Sequence, residues 1–336
     1  MITLRAAIGF NPVLQVKEAV KIAVKAEEYG YESIWIHESL FQRDIVSYLS
    51  LILNSTKKLK AASGVINTYT RHPVVAATTF GTLSEFSNGR IIMGLGLGSF
   101  PTIPKIGQHI FPVKETRPIN RISEYVELVR SLWSGINVNF RGKFFQAENL
   151  QMGFQVSNQI PVYIAGLSPD ILELAGKIGD GAILSPALAT VEATKKMSSY
   201  VQSGEAIANR KVDKASYILT SVDPDENQAR ENMRSFYFFL FQLAQVIKSE
   251  DLEPYGITDE QLSPMKQAWK KGDIAGAKNS VPDGAIDALS LTGTREMVLH
   301  RIADYISADV DLPIIMPIGN VDYAVSTFSP KNSKQH

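Results

Sequence analysis

Eight short, apolar and largely β-branched runs alternate with longer amphipathic stretches along the 336 residues, and this alternation restricts the fold more than any other feature. Repeated βα units of this kind build a parallel sheet. The runs are Leu4–Phe10, Ser33–Glu38, Leu59–Ile66, Arg90–Gly96, Pro161–Ala165, Gly181–Ser185, Ser216–Val222 and Pro313–Ile318. Several are apolar almost throughout, as strands covered on both faces are. Eight in series favour closure into a (β/α)8 TIM barrel over an open sheet.

Helix signals fall between these runs. Val16–Tyr29 carries apolar residues at helical spacing and stops at Gly30, while Pro73 opens Val74–Ser87 and Asn88-Gly89 closes it. Arg117–Ser134 has Ile122, Val126, Val129 and Leu132 on one face; Ser168-Pro169 precedes a helix over Asp170–Ile178. Two segments break the alternation. Asn137–Met152 reads as a hairpin turning at Arg141-Gly142, and Asp225–Asp287 as a helical insertion before strand eight, its Phe236–Phe241 run serving packing. The expected organisation is one barrel domain over residues 1–328, with a polar, frayed tail from Ser329 to His336.

Composition removes several classes of function. Hydrophobic residues make up 45%, enough for a large core, and 34 basic residues balance 34 acidic ones, so no global field draws nucleic acid or anionic membrane. Without cysteine there is no disulfide, thiolate metal site or thiol nucleophile. The sequence shows no signal-peptide core and no membrane-spanning run, so a cytoplasmic location is expected.

An active site in such a barrel lies where strands end and βα loops begin. Those ends are poor in catalytic groups: His37 and Glu38 stand at the end of strand two, no end has a lysine, and the early ends supply no second facing carboxylate. Glycine and small polar residues dominate instead, which suits an enzyme whose cofactor carries the reaction. Gly94-Leu95-Gly96-Leu97-Gly98-Ser99 imitates a dinucleotide fingerprint, but it follows strand four and enters a loop with Pro101 and Pro104, which argues against a Rossmann reading. These glycines either admit a cofactor or merely permit a tight turn. Lys105, His109, Lys114, Arg117 and Arg121 form a basic stretch that could attract an anionic tail, and Ser168 at a helix start either contacts phosphate or caps the helix.

Three stretches together carry a resemblance: Tyr69-Thr70-Arg71-His72-Pro73, Thr82-Leu83 through Ser87-Asn88-Gly89-Arg90, and the glycine run. With Leu172-Glu173-Leu174-Ala175-Gly176 and Gly179-Asp180-Gly181, they make the chain similar to the bacterial-luciferase-like superfamily from about residue 4 to 320. It resembles most the branch of methylenetetrahydromethanopterin reductase, which uses coenzyme F420. The resemblance implies a luciferase-type barrel, commonly dimeric, with a deazaflavin or FMN across the strand ends. Carried onto this chain, the cofactor contacts are Phe10, Ser63, Gly64, Val65, Asn67, Gly96, Gly98, Ser99, Ala165, Gly166, Leu167 and Ser168. A non-prolyl cis peptide backing the ring is implied at Gly64-Val65. Where the F420 branch often shows Asp-His, this chain has Glu38-Ser39, with His37 one residue earlier.

The expected reaction is hydride transfer between F420 and a small or pterin-like substrate, with Glu38 and then His37 as the ionisable groups near it. An FMN-dependent monooxygenase on the same barrel and a non-catalytic flavin-binding protein are the alternatives; no metal, nucleic acid or membrane partner is expected. Ala76, Ala77, Thr79, Phe80 and Leu83 form an apolar stripe that either joins two subunits in a homodimer or packs on the barrel. Arg43-Asp44 reads as an ion pair at a helix start.

Overall fold

The computed structural model of the chain describes residues 5–39, 41–98, 118–184 and 190–331. Eight parallel strands close into a barrel, labelled here β1 Ala7–Phe10, β2 Ser33–Ile36, β3 Lys60–Ser63, β4 Ile91–Gly96, β5 Val162–Ala165, β6 Gly181–Ile183, β7 Asp213–Val222 and β8 Leu312–Pro317. Neighbours follow sequence order from β1 to β7; β7 then pairs with β8, and β8 pairs back with β1. All eight runs expected from sequence are barrel strands. The third is interrupted: after Ser63 comes a cis Gly64–Val65 bond, and Ile66–Asn67 then pairs with the end of β4.

Strand alternation divides the apolar residues into two layers. Ile8, Ile34, Ile36, Met93, Val162 and Ile164 face the surrounding helices in the larger core. Ala7, Trp35, Ala62, Tyr163, Ala215, Tyr217 and Ile314 fill the barrel. Three large rings fit inside because glycine and alanine face them. A methyl group added at Gly9 would lie 2.6 Å from the Tyr217 ring, and one at Gly181 would run into Tyr163. Trp35 meets Tyr163 edge-on at 5.2 Å. At the amino end of the strands, Arg5 binds Glu32 (2.9 Å) and Asp213 (2.7 Å), and the Tyr163 hydroxyl donates to Asp213 (2.6 Å).

The outer helices include Val16–Tyr29, Ile45–Ser55, Pro73–Ser87, Pro118–Trp133, Pro169–Ile178 and Val191–Ala208. The last two cross closely. A side chain at Gly176 would strike the Val201 carbonyl, and one at Gly204 the Glu173 carbonyl, which explains a glycine at each position. The hairpin forms as expected, from Val138–Arg141 and Gln146–Leu150. Residues 225–287 form five helices: Glu226–Arg234, Tyr237–Gln245, Asp259–Lys270, Ile274–Asn279 and Asp283–Leu289. They enclose a second core, where Met233, Phe239, Leu240 and Leu243 pack with Leu219 of β7 and Met316 of β8.

Three expectations need correction. The Ala76–Leu83 stripe is no free surface, because Ala76, Ala77, Phe80 and Leu83 are buried within this chain, and the Trp133 indole donates to the Ala77 carbonyl. The tail is docked at its start: Ser329 is buried and its hydroxyl donates to the Tyr29 carbonyl, as does the Lys331 amide, satisfying the end of the first helix. Residues 332–336 lie outside the described residues. Arg43 and Asp44 serve different partners: Arg43 donates to the Val13 carbonyl (2.9 Å), while Asp44 caps Ile45–Ser55 by accepting from the Ser47 amide (2.9 Å).

Candidate functional site

Inward-facing positions at the carboxyl end of the barrel are mostly glycine, alanine and two ring systems. His37 follows the same parity as Trp35 and stands above it, its ring 4.5 Å from and nearly perpendicular to Tyr217. The His37 Nε2 is shut off from solvent and has no hydrogen-bond partner among the described residues. Burial pushes its pKa down to about 4, so at neutral pH the imidazole is uncharged. Tyr217 in turn donates its hydroxyl to the Gly64 carbonyl (3.2 Å).

Glu38, of opposite parity, points away from this layer. One carboxylate oxygen accepts from Arg71 Nε (2.7 Å), the other from the Asn67 side chain (3.1 Å) and amide (3.3 Å). The Glu38 side chain is only 7% exposed. Burial works against the Arg71 charge, yet Glu38 and Asp44 (3.0 Å) together raise its pKa above the ordinary value. The Tyr125 hydroxyl donates to the Arg71 carbonyl, and the Asn67 carboxamide oxygen accepts from the Tyr69 and Thr70 amides. Glu38 is thus a rigidly held acceptor, fixed by the loop after Ile66–Asn67.

The expected cofactor residues divide by environment. The Ser63 hydroxyl is fully buried and engaged with the Gly94 amide and carbonyl, both at 2.9 Å. A methyl group at Gly94 would overlap the Ser63 carbonyl, and one at Gly96 would come within 2.9 Å of Val65. Those two glycines therefore let β4 lie against the Ser63–Val65 bulge. Gly98 is exposed at φ 74°; Ser99 lies outside the described residues, as do Lys105, His109, Lys114 and Arg117. Gly166 makes room for Ile171, Ala165 is buried, and Leu167 is exposed. Ser168 is exposed at the start of Pro169–Ile178 and makes no cap hydrogen bond, so its hydroxyl is free for another partner.

Two residues stand elsewhere than expected. Phe10 faces outward by strand parity, meeting Tyr48 edge-on at 6.4 Å. It lines a mainly apolar cavity of about 590 Å³ with Leu14, Ile22, Phe236, Met316 and Ile318. Arg121 is held among the rings of Tyr69 (4.6 Å), Phe145 (4.9 Å) and Phe144 (5.6 Å), and it donates to the Thr68 carbonyl. It acts as a packed cation and not as part of an anion-attracting surface.

Sequence reasoning assigned no role to Arg71 or Tyr217, and it read Phe236 as a packing residue, which the second core bears out. Arg71 stands inside a quoted motif, so a signal existed; Tyr217 is one aromatic in a strand, and only the fold brings it to Gly64. Among the described residues, no three His, Asp or Glu side chains gather as metal ligands, and no helix is long and apolar enough to cross a membrane.

Among the described residues, the mouth of this closed parallel barrel offers backbone, one buried imidazole and one anchored carboxylate, few groups for a reaction carried by side chains alone. The family model described as "Luciferase-like monooxygenase" matches residues 4–312, and the chain belongs to that family. It is 29% identical to 5,10-methylenetetrahydromethanopterin reductase of Archaeoglobus fulgidus over 324 residues, covering 94% of each chain. The reductase of the same name from Methanopyrus kandleri is 30% identical, with 88% of this chain and 87% of that protein aligned. In structure, the coenzyme F420-dependent tetrahydromethanopterin reductase of M. kandleri superposes with a TM-score of 0.86 at 24% identity, covering 97% of both chains.

Proposed function

We propose that this protein is an F420-dependent oxidoreductase that moves a hydride between the coenzyme and a small or pterin-like organic substrate. The observation that carries the reading is the mouth of the barrel, which among the described residues is rich in backbone and poor in ionisable groups, in a chain aligned over most of its length with reductases of that chemistry. The residues present fit such a group. The buried His37 Nε2 lacks a partner among the described residues, and the exposed Ser168 hydroxyl is not committed to capping its helix. Gly64–Val65, Asn67, Gly98, Ser99 and Ala165–Ser168 would hold the group, with the buried Ser63 and Gly96 supporting the bulge.

When bound, F420 supplies hydride donor or acceptor chemistry, and the protein need only position and shelter the reactants. The neutral His37 ring has one nitrogen able to donate and one able to accept, so it can hold a substrate or ring heteroatom without adding charge. Glu38, fixed by Arg71 and Asn67, keeps lone-pair capacity on the oxygen facing Arg71 and can accept from the substrate. Both side chains are preorganised and shielded, which strengthens any hydrogen bond they make.

A cytoplasmic homodimer or higher homo-oligomer completes the proposal. Leu51, Val75 and Phe86 are about half exposed on helices Ile45–Ser55 and Pro73–Ser87, and they supply the apolar surface that the buried stripe does not. Light scattering tests this, and a monomer at micromolar concentration refutes it. The deciding functional experiment is a fluorescence titration of the purified protein with F420 and, separately, FMN. Selective F420 binding supports the assignment. The family description favours an FMN monooxygenase as the second reading, which selective FMN binding and flavin-dependent oxygen uptake would establish.

A further inference from the structure

Tyr217 touches both the Gly64 bulge and the His37 imidazole of the proposed site. It enters from β7, across the barrel from β2 and β3, and is 3% exposed. Its hydroxyl bonds the Gly64 carbonyl at 3.2 Å, and its ring meets the His37 ring at 4.5 Å and 80°. Two strand ends carry glycine because of it. A methyl group at Gly9 would come within 2.6 Å of its ring, and one at Gly64 would fall on its hydroxyl oxygen. Gly64 does not have a positive φ, so space and not backbone torsion excludes a side chain there.

A core aromatic needs only apolar neighbours. Tyr217 has those in Ala7, Ala62, Ala215 and Ile314, which a phenylalanine would pack against equally well. The hydroxyl is the surplus feature. It is spent on the Gly64 carbonyl of the Ser63–Val65 bulge, while the ring meets the imidazole. One rigid group therefore fixes the distance between the bulge and His37.

We propose that Tyr217 is a positioning residue, setting the Ser63–Val65 bulge and the His37 imidazole in mutual register for cofactor and substrate. The inference rests on the F420 reading for its consequence, and on this structure alone for its geometry.

Tyr217→Phe keeps the ring and removes the hydrogen bond. F420 affinity, read by fluorescence titration, falls about three- to tenfold, the worth of one buried hydrogen bond. The melting temperature falls by the few degrees that one unpartnered buried carbonyl costs while the variant stays folded, and the His37 imidazole resonance shifts in the ¹H–¹⁵N spectrum. Unchanged affinity in a chain whose parent binds F420 overturns the proposal. If the parent does not bind F420, the cofactor reading has failed separately, and the His37 resonance decides: movement supports the register role and constancy refutes it. If Tyr217→Phe folds poorly, Gly64→Ala alone, whose methyl displaces the Tyr217 hydroxyl, must move the His37 resonance, and constancy overturns the proposal; where Tyr217→Phe folds, Gly64→Ala and the double variant complete a cycle on F420 affinity. The added methyl meets the hydroxyl only when tyrosine is present, so the two effects must be less than additive; additivity overturns the proposal.

Discussion

Acid should destabilise this protein through His37 before its carboxylates titrate. An unfolded imidazole has a pKa near 6.5, and burial lowers that of folded His37 to about 4. Folding therefore resists protonation: the stability is fully present above about pH 6.5 and is lost as pH falls toward 4. The whole interval corresponds to about 3 kcal/mol, of which about 2 kcal/mol is gone by pH 5. Asp44, Glu32 and Asp213 have lowered pKa values and add losses further down, from the ordinary carboxylate range at about pH 4 toward their own lower values. The comparison is between parent and His37→Gln, by urea unfolding at pH 8 and pH 5. The parent should lose about 2 kcal/mol more than the variant between the two pH values. Equal losses would show that His37 titrates normally and that the Nε2 is not isolated. NMR titration of the five histidines gives an independent reading in the parent, where one should still be neutral at pH 5.

Three further outcomes follow from the geometry. Glu38→Gln should retain F420 binding and lose about tenfold or more in turnover with the identified substrate; unchanged turnover removes Glu38 from the chemistry. Arg71→Ala leaves a buried carboxylate without its guanidinium and should cost about 3 kcal/mol in urea unfolding, with Arg71→Lys failing to restore it because Nε and a terminal nitrogen serve different acids. A loss below about 1 kcal/mol would show that Asn67 alone suffices. Gly176→Ala drives a methyl into the Val201 carbonyl and should cost about 2 kcal/mol in thermal or urea unfolding; no cost would mean that the two helices separate freely.

The fold was legible because its evidence is local and repeated. Each barrel strand announces itself by an apolar run, and each helix by residues such as Gly30, Pro73 and Asn88 at its ends. What escaped was whatever depends on a partner distant in sequence. The Ala76–Leu83 stripe has the pattern of an interface or of a packed face, and only the arrival of Pro118–Trp133 decides between them. The tail reads as polar and loose, yet Ser329 meets a carbonyl that the first helix leaves unsatisfied 300 residues away. Phe10 looked like a mouth residue from its position at a strand end, but parity turns it outward to Tyr48.

The glycine run shows why motifs at a barrel mouth mislead. Gly94 and Gly96 invite comparison with phosphate-binding loops, in which glycine lets a ligand approach the backbone. In this chain the space beside them is taken by protein: Ser63 fills it at Gly94 and Val65 at Gly96. Gly9 and Gly64 likewise make room for Tyr217, so four glycines at the mouth serve the packing of β1, β3, β4 and β7 against one another. Their effect on a ligand is indirect. By letting the bulge and the aromatic ring approach so closely, they fix a platform whose exposed atoms are backbone and whose nearest ionisable groups are His37 and Glu38. A substitution at any of the four should therefore disturb folding and cofactor affinity together, whereas the exposed Gly98 and Ser168 can lose affinity while stability holds. Thermal unfolding and F420 titration on the same variants separate the two classes, and an affinity loss at Gly94 without a stability loss would restore the direct-contact reading.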